Sequence, residues 1–159
     1  MTARVASRNA VEPDAQKLPT PVTGMPKIPA WDNTSWPTPF SRARRGRVDN
    51  ENRLWFAEFG SNGVAMFDPK TEKITEWKKP LEWESPYDVV ADRNGQVWEV
   101  NESSDRLGRL DPKTGEWVNY PLPRYSNLRR VFVDDRSSPV KVWVGNDHAA
   151  SVIKLEPLD

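Results

Sequence analysis

One sequence feature constrains this chain more than any other: it repeats. The segment Ala91 to Pro123, ADRNGQVWEVNESSDRLGRLDPKTGEWVNYPLP, has a counterpart upstream, VDNENRLWFAEFGSNGVAMFDPKTEKITEWKKP, from Val48 to Pro80. Asp49 and Asp92 stand 43 residues apart, as do Trp55 and Trp98, and Asp68 and Asp111, the last two each opening a DPKT tetrapeptide. A third copy, VDDRSSPVKVWVGNDHAASVIKLEPLD, places Asp134 42 residues after Asp92 and Trp143 45 after Trp98. The excess is an insertion, Ser137 to Pro139, in its first turn.

A period of about 40 to 45 residues is that of a propeller blade, a unit that cannot bury its own faces and must stack on copies of itself. Asn94-Gly95 is a hairpin signal, read here as a type I′ turn between Tyr87–Ala91 and Gln96–Asn101. Asp111 to Gly115 is a second turn, with Pro112 fixing φ and Gly115 free to go left-handed, between Arg106–Leu110 and Glu116–Tyr120. Each copy therefore holds short strands in a meander. Runs such as Leu54 to Ala57 are apolar on both faces, which suits a sheet sandwiched between sheets. The expected fold is all-β, with blades of four antiparallel strands in repeats at about 43–85, 86–127 and 128–159. Two repeats are complete and the third stops after Ser151 to Leu155, too few for a ring of typically about 4 to 8 blades. A piece of a longer propeller, an assembly of several chains and an open stack all meet that geometry.

Residues 1–39 hold 7 of the 15 Pro and no apolar periodicity, and read as an extended or disordered arm. Trp31 and Trp36 are unusual in such an arm and allow it to add an outer strand to the incomplete last blade. No apolar run approaches the ~20 residues of a membrane span, and the first residues carry charge without the apolar stretch of a signal peptide. Net charge is zero, so nothing in it argues for nucleic acid or an anionic membrane. The absence of Cys excludes disulfides, a thiol nucleophile and thiolate metal sites.

The one basic cluster is Ser41 to Arg47, SRARRGR. Aligning Asp49, Asp92 and Asp134 puts Arg44-Arg45 in register with Tyr87-Asp88 and Arg129-Arg130, each pair opening the first strand of a blade. In a propeller that strand lines the central channel, so four arginines converge at its mouth. Guanidinium forks suit carboxylate or phosphate, and an anionic small molecule or peptide is the expected ligand, with Tyr87 stacking on it. The alternative is that the arginines pair with Asp88, Glu58 and carbonyls to hold blades together. Glu58, Asn101 and Asn146 each follow a Trp by three residues and are expected at the same mouth. Glu58 and Asp88 are candidate oxygen ligands for a hard cation. Glu99, Glu102 and Asp105 read as surface charge. His148, the single His, is a candidate general base without an evident partner.

The motifs resemble those of the virginiamycin B lyase (streptogramin lyase) family. Its W-F-x-E strand, I-G-R-I/L-x-P-x-T-G turn and T-E-x-P-L-P outer strand are matched by Trp55 to Glu58, Leu107 to Gly115, and Tyr120 to Pro123, with Ile74 to Trp77 equivalent in the preceding copy. The likeness runs from about Pro37 to the C-terminus. It implies a seven-bladed ring and, for the family's enzymes, Mg²⁺-dependent elimination that opens a cyclic depsipeptide lactone. That reaction uses carboxylates at the channel mouth and a general-base His in a P-H-G/A-I segment. Glu58 matches the carboxylate; the His does not match, because Pro86 is followed by Tyr87-Asp88. The segments Ala43 to Asp49, Leu128 to Asp134 and Lys154 to Asp159 also resemble the C-terminal part of large bacterial extracytoplasmic lyase-like propellers. That likeness implies a periplasmic or extracellular setting for full-length relatives, and upstream blades where residues 1 to about 36 stand here. Two functions follow as expectations: an anion-binding or interaction module, or a lyase in the complete protein.

Overall fold

The computed structural model describes residues 36–158; the arm up to residue 35, with Trp31, and Asp159 lie outside the described residues. Eleven strands form three antiparallel sheets and no helix occurs among the described residues. The first sheet is β1 (Ala43–Val48), β2 (Leu54–Glu58), β3 (Gly63–Asp68) and β4 (Lys73–Lys78), in that order. The second is β5 (Pro86–Ala91), β6 (Val97–Asn101), β7 (Arg106–Asp111) and β8 (Glu116–Pro121). The third has only β9 (Leu128–Asp134), β10 (Lys141–Asn146) and β11 (Ser151–Leu155). Sequential strands pair as neighbours in every sheet, the four-stranded meander of a propeller blade, with the third blade one strand short among the described residues.

Turn chemistry sets these boundaries. At Asp92 to Gln96 the structure departs from the type I′ expectation: only Gly95 takes positive φ (81°), Gly95 N–H donates to Asp92 O, and Asp92 and Gln96 pair across the loop. This is a type I turn followed by a left-handed residue. The Asp92 carboxylate selects it by accepting the Asn94 and Gln96 N–H groups, which a two-residue loop could not present. Asp49 acts identically, with Asn52 (φ 64°) in the place of Gly95. The same two aspartates accept the indole N–H of Trp55 (2.8 Å) and Trp98 (2.9 Å), which fixes each Trp against its own blade.

The core lies between blades. Trp55, Ala57 and Val64 of the first sheet meet Val89, Val97 and Leu110 of the second. Trp98, Val100 and Leu107, on the far face of the second, meet Leu128, Val131, Val142 and Val144 of the third. Central strands are thus apolar on both faces because each sheet is covered twice.

Each blade also receives a side chain from the linker that precedes it. Lys79 and Leu122 are equivalent in the repeat, and their N–H groups donate to the equivalent carbonyls of Asn62 and Asp105. The Lys79 ammonium reaches into the second blade between Glu99 and Glu84, the latter at 2.9 Å, with all three side chains fully buried. Leu122 packs into the aliphatic cluster around Val144, the residue that replaces Glu99 in the third blade. Trp36 takes the same place on the first blade, edge-on to Phe56 at 5.2 Å. Glu99 is therefore not surface charge. It is buried because Lys79 neutralises it and Gly108 leaves room for it, a Cβ at residue 108 colliding with its carboxyl. Glu102 and Asp105 are half-buried, Glu102 pairing with Arg129 and Asp105 accepting from Ser126 N–H.

Candidate functional site

A bulge at the start of each inner strand builds the mouth. The register of β1 on β2 shifts between Ala43 and Gly46, that of β5 on β6 between Pro86 and Asp88, and that of β9 on β10 across Leu128 to Val131. Arg44-Arg45, Tyr87 and Arg129-Arg130 fall in these irregularities, and Asp88 closes the second. A bulge re-aims side chains and bends the strand, a device common at barrel rims and next to functional sites.

What the bulges bring together is a stack of guanidinium groups on aromatic rings. Three of them flank the Tyr87 ring: Arg44 at 5.2 Å, Arg45 at 5.3 Å and Arg129 at 5.8 Å from its centroid. Arg44 also lies 4.7 Å from the Phe59 ring, which Arg42 approaches at 5.4 Å and which meets Tyr87 edge-on at 6.3 Å. Arg129 is anchored by Asn127 (2.8 Å) and Glu102 (3.1 Å). Arg44 and Arg45 have no carboxylate partner among the described residues. Arg130 lies aside from the Tyr87 stack and, with Arg129, lines a cleft of about 380 Å³ at the end of the third blade.

The carboxylates go elsewhere. Asp88 is fully buried and ties three inner strands together: its Oδ2 accepts from Arg47 of β1 (3.0 Å) and from Val131 N–H of β9 (3.1 Å). It partners neither Arg44-Arg45 nor Arg129-Arg130; Arg47 fills that structural part, and its distance from Asp88 in sequence hides the pairing. Glu58 is buried at the end of β2. Burial, and then the neighbouring Glu76 carboxylate, push its pKa up to about 7, while the Ser61 and Ser41 hydroxyls pull it part of the way back. Neither hydroxyl closes a well-formed hydrogen bond, and Glu58 Oε1 accepts none. Thr38 donates through N–H (3.0 Å) and Oγ1 (2.6 Å) to Glu76, so residues just ahead of β1 roof this pair. Glu58 and Asp88 share no hydrogen-bond partner, and no group of three or more His, Cys, Asp or Glu side chains that could hold a metal ion occurs among the described residues.

Asn101 is buried, donating to the Arg106 carbonyl (3.1 Å) and to Glu99 (3.2 Å), so it has no open face toward a ligand. Asn146 is buried likewise, donating to Tyr125 O. The exposed His148 stacks on Tyr125, centroids 4.9 Å apart and planes at 16°, with no carboxylate to orient it among the described residues. Phe59 and Arg42 complete the stack without having been expected there. The signal was available: Phe59 follows Glu58 directly, and Arg42 belongs to the basic cluster.

Blades in series, each covering the next and each with a bulged inner strand that bears arginines in the first and third, define a β-propeller sector. Among solved structures the chain is similar to an inactive virginiamycin B lyase from Staphylococcus aureus with quinupristin, at 18% identity and TM-score 0.63, over 77% of this chain and 44% of that one. It is similar also to a streptogramin B lyase, at 21% identity and TM-score 0.57 over 77% and 43%. A third similar structure is YCF48 bound to D1 peptide, at 12% identity and TM-score 0.57 over 72% and 36%. The likeness is one of fold, and the chain spans less than half the length of each of these proteins. No protein-family model matches the chain, and neither does any curated protein.

Proposed function

We propose that this propeller sector is a ligand-binding or interaction module that holds an anionic group at its mouth. Arg44, Arg45 and Arg129 do so around Tyr87, with Arg130 beside them. The observation that carries the reading is three guanidinium groups within 6 Å of one tyrosine ring, two of them without a carboxylate partner among the described residues. Like charges gathered in this way repel, and an incoming carboxylate or phosphate offsets that cost while accepting paired N–H donors. The ligand class is an anionic small molecule or an acidic peptide; a peptide agrees with the peptide-bound YCF48 propeller of similar fold. Calorimetric titration with citrate and with inorganic phosphate tests this. Arg45→Ala and Arg129→Ala are each expected to weaken binding about 10-fold or more, one charge-assisted contact being worth roughly 1.5–3 kcal/mol. His148→Ala leaves it unchanged. Equal affinity in all variants, or no binding by the parent chain, overturns the reading.

A lyase in the complete protein is the second reading, favoured by the fold likeness and by a carboxyl at Glu58 whose pKa lies near neutrality. Mg²⁺ there would be held by Glu58 with residues other than Asp88. No His faces Glu58 among the described residues, His148 being stacked on Tyr125. This chain with quinupristin and Mg²⁺ is therefore expected to give no lactone opening by mass spectrometry. A Mg²⁺-dependent product that Glu58→Gln abolishes would reverse the order of the two readings.

A further inference from the structure

Phe40, Trp83 and Tyr125 occupy one position of the repeat. Each stands three residues ahead of an inner strand and immediately before a buried polar residue, Ser41, Glu84 or Ser126. The equivalence is structural as well, since Glu84 N–H donates to Asn62 and Ser126 N–H to the matching Asp105. All three aromatic residues face solvent, at 89%, 85% and 71% exposure. Single exposed apolar side chains need no explanation, but one large ring per blade at one position does. Two of the three are also held at positive φ, Phe40 at 61° and Trp83 at 64°, a conformation that costs bulky residues free energy and gathers at functional sites.

One of these rings borders the arginine stack directly. Trp83 lines a cleft of about 400 Å³ together with Phe59 and Arg42, and Phe59 carries Arg44 and meets Tyr87. Tyr125 leans on His148 and leaves its other face open. We infer that Phe40, Trp83 and Tyr125 form an aromatic rim around the arginine mouth, together a docking surface for an acidic peptide segment with apolar side chains. The inference rests on the anion-binding reading of the same mouth. The charge of the stack selects the acidic group, and the rim receives the apolar groups that flank it. Exposed Trp, Tyr and Arg are the residue types that dominate binding to proteins. The rim amides that would bind a sugar's hydroxyls are spent inside the fold: Asn62 on Leu81 O and Glu84 N–H, Asn127 on Arg129 and Glu102 O, Asn146 on Tyr125 O; the carboxylate beside Trp83 is Glu82, so the hexagalacturonate arm of the test decides between sugar and peptide.

The test uses three fluorescein-labelled probes on the full chain by anisotropy: Glu-Leu-Glu-Phe-Glu-Leu, Glu-Gly-Glu-Gly-Glu-Gly and hexagalacturonate. The first peptide is expected to bind at least about 10-fold tighter than the second. Trp83→Ser and Tyr125→Ser each reduce that ratio toward one while leaving the glycine peptide unaffected, and their exposure makes an unchanged melting temperature the accompanying control. Arg129→Ala weakens both peptides. Equal affinity for the two peptides, no effect of the rim variants, or hexagalacturonate binding tighter than either peptide overturns the rim while the anion site stands. A glycine peptide that does not bind, or is indifferent to Arg129→Ala, overturns the anion site itself.

Discussion

A carboxyl group buried against a second carboxylate holds its proton, and Glu58 is such a group. Its folded pKa of about 7 lies above the ordinary 4.5, so between those values the folded chain binds more proton than the unfolded one. The associated stability is full below about pH 4.5 and is lost as pH rises through about 7, by up to roughly 3 kcal/mol. Urea midpoints are expected to fall from pH 5 to pH 7.5 in the parent chain and to stay level in Glu58→Gln; parallel slopes would refute the assignment. At the turn after β3, Glu72 is held at φ 56°, where the matching turn of the second blade has Gly115 at 78°. Glu72→Gly should therefore stabilise the chain by about 1 kcal/mol in urea unfolding, by relief of left-handed strain. Single residues were readable where one local turn decides them, as with Gly115. Asp88 was not, because its partners Arg47 and Val131 come from two other strands.

At the scale of elements, the linker side chains give each interface its own chemistry: Trp36 on Phe56, Lys79 between Glu99 and Glu84, Leu122 in the cluster with Val144. Burial pushes the pKa of Glu99 up against the pull of Lys79, so this pair depends on both members. Lys79→Met leaves buried carboxylates without their cation and is expected to cost about 3–5 kcal/mol. The triple variant Lys79→Leu, Glu84→Ser, Glu99→Val imports the chemistry of the third blade, with Leu122, Ser126 and Val144 at these positions, and should recover most of that loss; a triple variant as unstable as the single would show that the pairing is not transferable. The strands and the places of the turns were legible because period, turn residues and Trp spacing all agree. The Glu99 pairing was not, since a Glu in an otherwise apolar strand reads as solvent-facing until the linker that covers it is seen.

For the whole molecule, the outermost described face is telling. Trp55 and Trp98 are 1% exposed because a following blade covers them, whereas Trp143, their equivalent on the third blade, is 37% exposed. Val152 on β11, the edge strand of its sheet among the described residues, is also exposed. Light scattering of this chain is expected to give masses above 18.2 kDa, reduced by Trp143→Ser with Val152→Thr; a parent that is already monomeric would contradict it. Charge is distributed just as unevenly: the net charge is zero, but Arg44, Arg45 and Arg129 meet on one ring. The most direct test of the account is hexaglutamate binding at 50 and 200 mM NaCl, by the parent and by Arg44→Ala with Arg129→Ala. Affinity that falls several-fold with salt in the parent and is lost in the double variant is the predicted result. Binding that ignores both salt and the two arginines would contradict the account.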